Sequence, residues 1–515
     1  MLKTLLEYGF RATAFEKRHR VGGLWSYTDD TTLTSALPST SANISKFTCG
    51  YSDYPMPDKY PVYLRQSDFQ EFAEDYAKHF NLYDHIVFDS DVTQVNRTTD
   101  DSKWRVDMVR AGQQESREFD KVVFCHGYQS VPRMPDFEDR DKFEGEIMHV
   151  QKFRDPETLK GKKVLIVGFG VTACQLGPLI TPYASKVYLS HRRGAYLIKR
   201  TLNGRPADLL VNYSRRRLSY LLQQYFPGLA LKLSDLGLRH IMKQYGKLEP
   251  EWRIPADAVP IQLSLAQAFD DILPCLRDGS VTSLPGVKRF TGGKSVEFAD
   301  GTVVEDVDVV ICCTGYRADF SLTPFVETSR PAADDAGHPY GGAPIVRLYK
   351  NIFPPAYADS VAILTYSAYG KNNGFSFADV TSMAISNIWR GVSADLIPPR
   401  AEMDRQIDAD QRWVAGRWHR HHDTDVSAVK QWEFQGFLHA AAGTGMENLG
   451  WGWKGWLFFF RDPRMSWLMN HGVETAHAFR YFETGKRKTW PGARDEIIRV
   501  NELVKHFPPD FDKRE

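Results

Sequence analysis

Short blocks of consecutive aliphatic residues recur along this chain, and several of them close on a glycine. KVLIV at 163–167 runs into Gly168-Phe169-Gly170, KVVFC at 121–125 into His126-Gly127, and DVDVVICC at 306–313 into Thr314-Gly315-Tyr316. Unbroken apolar runs of this length predict buried strands. A strand that stops at a glycine marks a place where the chain passes close to a ligand or crosses between domains. Other patterns predict a helix over 67–80, strands over 86–98 and 103–110, and an apolar helix over Ala378–Ile388. Residues 3–16 read as the end of an amphipathic helix (Leu5, Leu6), a turn at Gly9 and a strand, RATAFE, ending at Glu16. Residues 213–283 are polar, basic and helix-patterned, as expected of an insertion. Pro178 and Pro182 should end the helix that follows Gly170 early, because each removes a backbone donor. The aromatic segment GWGWKGWLFFF (450–460), with Trp451, Trp453 and Trp456, could touch a bilayer surface but is expected in the core.

Composition narrows this picture without naming a chemistry. A chain of 515 residues with 42% hydrophobic side chains buries a sizeable core, shared by two or more domains. A net charge of +1 gives no reason to expect nucleic acid or an anionic membrane as partner. The cysteines (Cys49, Cys125, Cys174, Cys275, Cys312, Cys313) show neither CxxC pairing nor metal-ligand spacing. They read as buried thiols of a reducing compartment, and no metal site is expected. Glu7 interrupts an N-terminal apolar run too short for a signal peptide, and no apolar stretch is long enough to span a bilayer. These features together suggest a cytoplasmic protein, at most peripheral to a membrane.

The glycine-closed strands carry the candidate chemistry. Gly168, Gly170, Val171, Thr172 and Ala173 form a GxGxxA turn that opens a helix, where backbone N–H groups can approach a pyrophosphate. The next strand, KVYLSHR, ends at Arg192 and Arg193. A guanidinium there pairs with a ribose 2′-phosphate, which selects NADP over NAD. Glu16, at the end of its own strand, is placed to accept the adenosine ribose of a second dinucleotide. Gly22, Gly23, Leu24 and Trp25 form a backbone-exposing turn after it. By fold arithmetic the glycine-rich loop preceding Glu16 falls upstream of Met1, so the chain reads as starting inside the motif helix.

Taken together these motifs resemble the flavin-containing monooxygenases of the dimethylaniline N-oxidising type. The fingerprint FxGxxxHxxx(Y/F) is met by Phe143, Gly145, His149 and Phe153. ANISKFTCGYSDYPMPDKYP (42–61) is similar to the segment that carries the family's active-site asparagine, which falls on Asn43. SHRRGAY (190–196), CTGY (313–316), RDPRMSWLMNHG and KTWPGARDEI (461–472, 488–497) also match. The resemblance implies an α/β fold of two dinucleotide-binding, Rossmann-like domains, with the NADP domain inserted in the FAD domain. Its expected division is 1–155 (FAD, first part), 156–325 (NADP, with the helical insertion) and 326–515 (FAD, second part, and a helical C-terminal region). It implies FAD and NADPH as cofactors, the residues above as their ligands together with Thr314 and Gly315, and Asn43 as the catalytic amide. An oxygen atom of O2 would pass through a C4a-hydroperoxyflavin to an amine or thioether, and a homodimer is compatible with the resemblance. His149 is expected to satisfy backbone groups at a domain junction rather than act as a base. Lys371-Asn372-Asn373-Gly374 would aim a helix N-terminus at the flavin.

Departures keep two alternatives open. Val171-Thr172 stand where the family has Asn-Ser, and the first glycine-rich loop is not seen. A Baeyer–Villiger enzyme acting on a ketone would resemble FxGxxxHxxxW, but Phe153-Arg154 lacks the tryptophan. A degenerate NADP-binding protein without flavin is the other alternative, against which Glu16, Gly22-Gly23 and Asn43 are retained.

Overall fold

The aliphatic runs of the sequence lie side by side. The computed structural model describes residues 1–192, 194, 196–254, 271–329, 345–364, 374–420, 427–483 and 489–508. In it the strands Glu146–His149, Lys163–Val167, Lys186–Ser190, Val281–Leu284 and Val309–Cys312 form one sheet in which every pairing is parallel. Across the sheet the order is 281–284, 186–190, 163–167, 309–312, 146–149, so the strand that feeds the glycine-rich turn is central. Val164, Ile166, Val187 and Ile311 join the hydrophobic cluster on one face, and Leu165 and Val310 the cluster on the other. Coverage on both faces explains why the runs are continuous rather than alternating.

The helices are α1 (Leu2–Glu7), α2 (Gln66–His79), α3 (Val171–Ile180), α4 (Tyr213–Tyr225), α5 (Pro227–Met242), α6 (Ile272–Arg277), α7 (Gly374–Trp389), α8 (Arg400–Arg420), α9 (Gln431–Ala442), α10 (Trp453–Arg461), α11 (Pro463–His471) and α12 (Ala493–Lys505). One face of the sheet packs on α3 and α6 through Ala173, Cys174, Leu176, Ile272 and Leu276. A three-stranded antiparallel sheet, 287–304, covers the other with Phe290, Val296 and Phe298. Helix α3 stops at Ile180, two residues before Pro182 and with Pro178 already in its last turn, as the two prolines require.

Chain connectivity shows how the sheet is placed. Val122–Phe124 pairs in parallel with Val361–Ile363, two strands separated in sequence by the whole five-stranded sheet. One nucleotide-binding unit is therefore inserted in another, and the chain crosses between them twice, where Val131–Pro132 and Tyr316–Arg317 pair antiparallel. The inserted sheet starts at Glu146, upstream of the boundary expected at 156, because its edge strand carries part of the fingerprint. The 213–283 stretch contains α4 and α5, but it ends in the edge strand Val281–Leu284, which belongs to the sheet.

Two expectations need correction. Trp451, Trp453 and Trp456 are not core residues: they are 57%, 72% and 56% exposed. The reason is local. Gly455 presses α10 so close to the preceding turn that a Cβ there would lie 1.7 Å from the Gly450 carbonyl oxygen, and the large rings point the other way. The cysteines are not uniformly buried either, since Cys125 is exposed and Cys275 partly so.

A buried ionic cluster fastens the chain's two ends together. Asp53 pairs with Lys3 of α1 and with Arg480, and Arg480 pairs in turn with Glu483; all four side chains are nearly inaccessible. Nearby, Ser52 donates its N–H to Asp379 of α7 at 2.7 Å and accepts through its carbonyl from His477 Nδ1 at 3.0 Å. Removing one member of such a cluster leaves a desolvated charge without its partner, a loss of about 3–5 kcal/mol. Asp53→Asn should accordingly lower the urea midpoint of unfolding followed by circular dichroism, with a loss of that order. A change below about 1 kcal/mol, the range of exposed pairs, would show that solvent screens the cluster.

Candidate functional site

Three strand ends converge at the glycine-rich turn. Gly168 has φ +111°, and a Cβ on it would stand 2.5 Å from the Cys313 carbonyl oxygen. Only hydrogen fits there, so the turn after 163–167 can pass directly over the end of 309–312. Cys313 N–H reaches the Val167 carbonyl at 2.8 Å, and Gly168 N–H reaches that of Ser190 at 2.9 Å. Around Gly170, by contrast, a Cβ would meet nothing within 4 Å. Val171, Thr172 and Ala173 then open α3, whose N-terminus no side chain caps. Unpaired N–H groups facing open space at a helix N-terminus suit a pyrophosphate.

The neighbouring strand end is built around His191, which the sequence did not single out. Its ring stacks on Phe169, the residue between the two glycines, at 4.7 Å between centroids. Nδ1 accepts from Gly194 N–H at 3.0 Å, so Nε2 carries the proton and donates to Ser283 Oγ at 2.9 Å. Burial, with the nearby Arg253 charge, pushes the imidazole down to about 4, so it stays neutral. Arg192 leaves this turn exposed, its stem against Gly286 and its guanidinium without an ion pair among the described residues. That is the state in which it can meet a phosphate. Arg193 lies outside the described residues.

The fingerprint proves to be architectural. Phe143 packs on Phe290 at 4.6 Å, and Gly145 leaves room for the Phe143 ring, which a Cβ would approach to 2.6 Å. Phe153 is buried in the same cluster as α3. His149 Nδ1 accepts from Gln151 N–H at 3.2 Å, which leaves Nε2–H to donate to the Gly315 carbonyl at 3.0 Å. Burial lowers its pKa, so both nitrogens are committed in the neutral form. Gly315 O also accepts from Arg133 N–H at 3.0 Å, and Thr314 Oγ1 donates to the Arg133 carbonyl at 2.5 Å. His149, Thr314 and Gly315 thus lock the crossing between the two units.

Long-range hydrogen bonds also shape the N-terminal side. Glu16 is half-buried, and burial raises its carboxyl although Arg18 N–H donates to it at 2.9 Å. Arg18 holds the loop beyond through the Ser26 and Thr34 carbonyls, at 2.7 and 2.6 Å. From the far side Arg154 reaches the same loop through the carbonyls of Thr28, Asp30 and Leu33 at 2.8–2.9 Å. Gly22 has φ +118°, and a Cβ there would collide with Gln70 of α2. Gln66 donates to the Trp25 carbonyl, and Leu24 accepts at its carbonyl from Ala36 N–H at 2.8 Å. Gly22, Gly23, Leu24 and Trp25 are therefore seated on α2. The Trp25 ring stacks on Phe69 at 4.1 Å, and Phe69 stacks on Phe375 at the start of α7. Gly374 is the first described residue of α7, while Lys371, Asn372 and Asn373 lie outside the described residues.

Asn43 sits on a segment clamped to the inserted unit. Two residues before it, the Ser41 carbonyl accepts from Gln175 of α3 at 3.1 Å and the Ser41 hydroxyl from Arg200 at 2.9 Å. Beyond it, Asp208 accepts from Ser45 N–H, Ser45 Oγ and Thr48 Oγ1 at 3.2, 2.8 and 2.6 Å. Asn43 itself is half-buried, and its amide makes no hydrogen bond among the described residues. Arg18, Arg154, His191, Arg200 and Asp208 escaped sequence reasoning because each acts on a partner far along the chain. Only Arg154, adjacent to the fingerprint, had a positional signal. Groups of His, Cys, Asp and Glu able to hold a metal ion are absent among the described residues.

Comparison with known proteins agrees with this geometry. The family model for flavin-binding monooxygenase-like proteins matches residues 1–506. Monooxygenase aurF of Gibberella zeae is 34% identical over 507 residues, covering 97% of this chain and 94% of that protein. Dimethylaniline monooxygenase [N-oxide-forming] 4 of Oryctolagus cuniculus is 28% identical over 511 residues, covering 96% and 85%. Among solved structures, S-allyl-L-cysteine S-oxygenase from Allium sativum aligns with a TM-score of 0.60 over 98% of this chain and 95% of that one. At 18% identity that likeness is one of fold.

Two outcomes test the site. Gly168→Ala places a methyl against a carbonyl oxygen at a backbone angle that alanine resists, so NADP+ affinity by calorimetry should fall at least about ten-fold. Unchanged affinity would show that the two strand ends can separate freely. His191 gives a pH signature. It is protonated near 6.5 when unfolded but only near 4 when folded, so the unfolded chain binds more protons between those values. Its contribution to stability is full above pH 6.5 and is lost as pH falls towards 4. His191→Gln should therefore flatten the acid slope of the thermal midpoint, and an identical slope would remove His191 from the account.

Proposed function

The chain belongs to the flavin-binding monooxygenase-like family, a flavin-dependent monooxygenase with FAD and NADPH as cofactors, and we propose that it transfers one oxygen atom of O2 to the nitrogen of an amine or the sulfur of a thioether. The observation that carries this reading is Asn43, a half-buried amide without a hydrogen-bond partner among the described residues, on a segment fixed to α3 by Ser41. A neutral amide both donates and accepts, so it can hold two bound groups in register without adding charge. The N-oxide-forming relative supports the nitrogen arm.

The roles of the residues follow from their positions. The N–H groups of Val171, Thr172 and Ala173 would receive the NADP pyrophosphate, and Arg192 the 2′-phosphate. Glu16 would accept the adenosine ribose of FAD, with Gly22–Trp25 closing over it. When bound, the flavin supplies the reduction and activation of O2, chemistry that no side chain can perform. Trp25, Phe69 and Phe375 form an apolar wall beside the turn that keeps water away. His149 takes no part in proton transfer, since both ring nitrogens are already bonded.

Asn43→Asp tests the reading. Aspartate is nearly isosteric but, when ionised, only accepts, and it adds a negative charge where electron-rich oxygen must be held. NADPH oxidation should survive, while oxygenated product falls by roughly a hundred-fold, the scale of one lost preorganised donor, and hydrogen peroxide rises. The assay compares NADPH consumed with product and peroxide, using N,N-dimethylaniline, a thioether and cyclohexanone. A fully coupled variant would reduce Asn43 to a turn residue, and lactone from cyclohexanone in the wild type would favour the Baeyer–Villiger alternative.

A further inference from the structure

Asn43 lies in a stretch that bows away from its own unit. Ala42 N–H donates to the Leu64 carbonyl and Lys46 N–H to the Val62 carbonyl, both at 2.7 Å. Between those two bonds stand Asn43, Ile44 and Ser45 on one side and Tyr63 alone on the other. Three residues against one cannot run straight, so the longer side bulges. What reaches the bulge is a hairpin of the inserted unit. Thr201–Leu202 pairs antiparallel with Arg205–Pro206 around Asn203-Gly204, which lie in the left-handed region at φ 52° and 73°. A two-residue turn of that kind matches the twist of paired strands, so turn and strands favour one conformation. Ala207 N–H closes the hairpin on the Arg200 carbonyl at 2.7 Å, which sets Arg200 and Asp208 at its open ends.

The two ends grip the bulge from before and behind. Arg200 donates to the Ser41 hydroxyl at 2.9 Å, and its guanidinium covers the Tyr63 ring at 5.1 Å. The Tyr63 hydroxyl in turn donates to the Arg200 carbonyl at 2.5 Å. Asp208 holds the other side through a single oxygen, Oδ2, which accepts from Ser45 N–H, Ser45 Oγ and Thr48 Oγ1 at 3.2, 2.8 and 2.6 Å. Ser45 is fully buried, and Asp208 forms no ion pair among the described residues. Hydrogen bonds to an ionised acceptor are about twice as strong as neutral ones, so this carboxylate is a firm anchor. Asn43 stands two residues from it in sequence. The direction of the Asn43 amide therefore follows from where Asp208 holds Ser45, and the anchor belongs to the other unit.

We propose that Asp208 is a positioning residue for oxygen transfer, holding the 43–45 bulge and with it the Asn43 amide in the orientation that step needs. The role rests on the reading of Asn43 as the active amide. A misplacement of about 1 Å at a reacting centre costs on the order of a hundred-fold, so a slack bulge should be visible in the product. Hydrogen–deuterium exchange of the full-length protein tests the anchor without any turnover. Asp208→Ala should speed exchange across 40–50 at least about ten-fold, and Asp208→Asn, which keeps an acceptor oxygen in place, should restore most of the protection. Unchanged exchange in Asp208→Ala would overturn the proposal. Turnover with FAD, NADPH and N,N-dimethylaniline tests the role. Asp208→Ala should lower product per NADPH consumed by about ten-fold or more, with hydrogen peroxide making up the difference, and Asp208→Asn should lie nearer the wild type. A purely structural role would lower NADPH consumption and product together and leave their ratio alone, which would also overturn it. In an Asn43→Asp background, Asp208→Ala should add no further loss, whereas losses that multiply would show a route independent of Asn43 and sink the proposal. The two possible failures are distinguishable. Unchanged exchange strikes the Asp208 anchor, while altered exchange with a fully coupled Asn43→Asp strikes the reading of Asn43 and the positioning role with it.

Discussion

Everything at the candidate site depends on one backbone contact, the approach of Gly168 to the Cys313 carbonyl. Two parallel strands can end side by side and turn in different directions only if one turn carries no side chain. With hydrogen at 168, the chain can leave the sheet, expose the Gly170 turn and start α3 at once. The 309–312 strand meanwhile continues into Thr314 and Gly315 and crosses to the other unit. The open helix N-terminus and the domain crossing are thus two consequences of the same absent methyl group.

The second layer of organisation consists of polar groups that hold loops rather than perform chemistry. His149 and His191 are built alike: each accepts a backbone N–H two or three residues ahead through Nδ1 and donates through Nε2 to a different segment. Burial keeps both neutral, and neutrality is what permits one nitrogen to accept while the other donates. Arg18 and Arg154 work from opposite sides on the 26–35 loop, together holding five of its carbonyls. Guanidinium suits this because its donors fan out in a fixed plane. These contacts fix the segments around Asn43, Arg192 and the start of α3, none of which forms an ion pair or side-chain cap among the described residues.

The exposed face of α10 follows from the same economy of glycine. Gly455 lets the helix sit on the carbonyl of Gly450, which leaves Phe458 as its large buried residue and turns the remaining rings outward. Aromatic content alone says nothing about which way a helix faces, and here the smallest residue decides.

The sequence by itself determined the elements whose physics is local. Continuous aliphatic runs marked the buried parallel strands, GxGxxA marked the turn, Pro178 and Pro182 marked the end of α3, and the aliphatic strand ends marked where the chain would cross. Asn43 and Arg192 were singled out by motif context as candidates, and their roles belong to the proposed function. What only the tertiary structure decided was every relation between distant residues: that 122–124 pairs with 361–363 across an inserted sheet, that Glu146–His149 belongs to that sheet, that His191 lies under Phe169. The orientation of Trp453, Trp456 and Phe460 was also settled there. The physical reason is that strand propensity, turn geometry and helix termination depend on neighbours along the chain. Burial, tautomer choice and freedom from partners depend on neighbours in space, which no spacing in the sequence records.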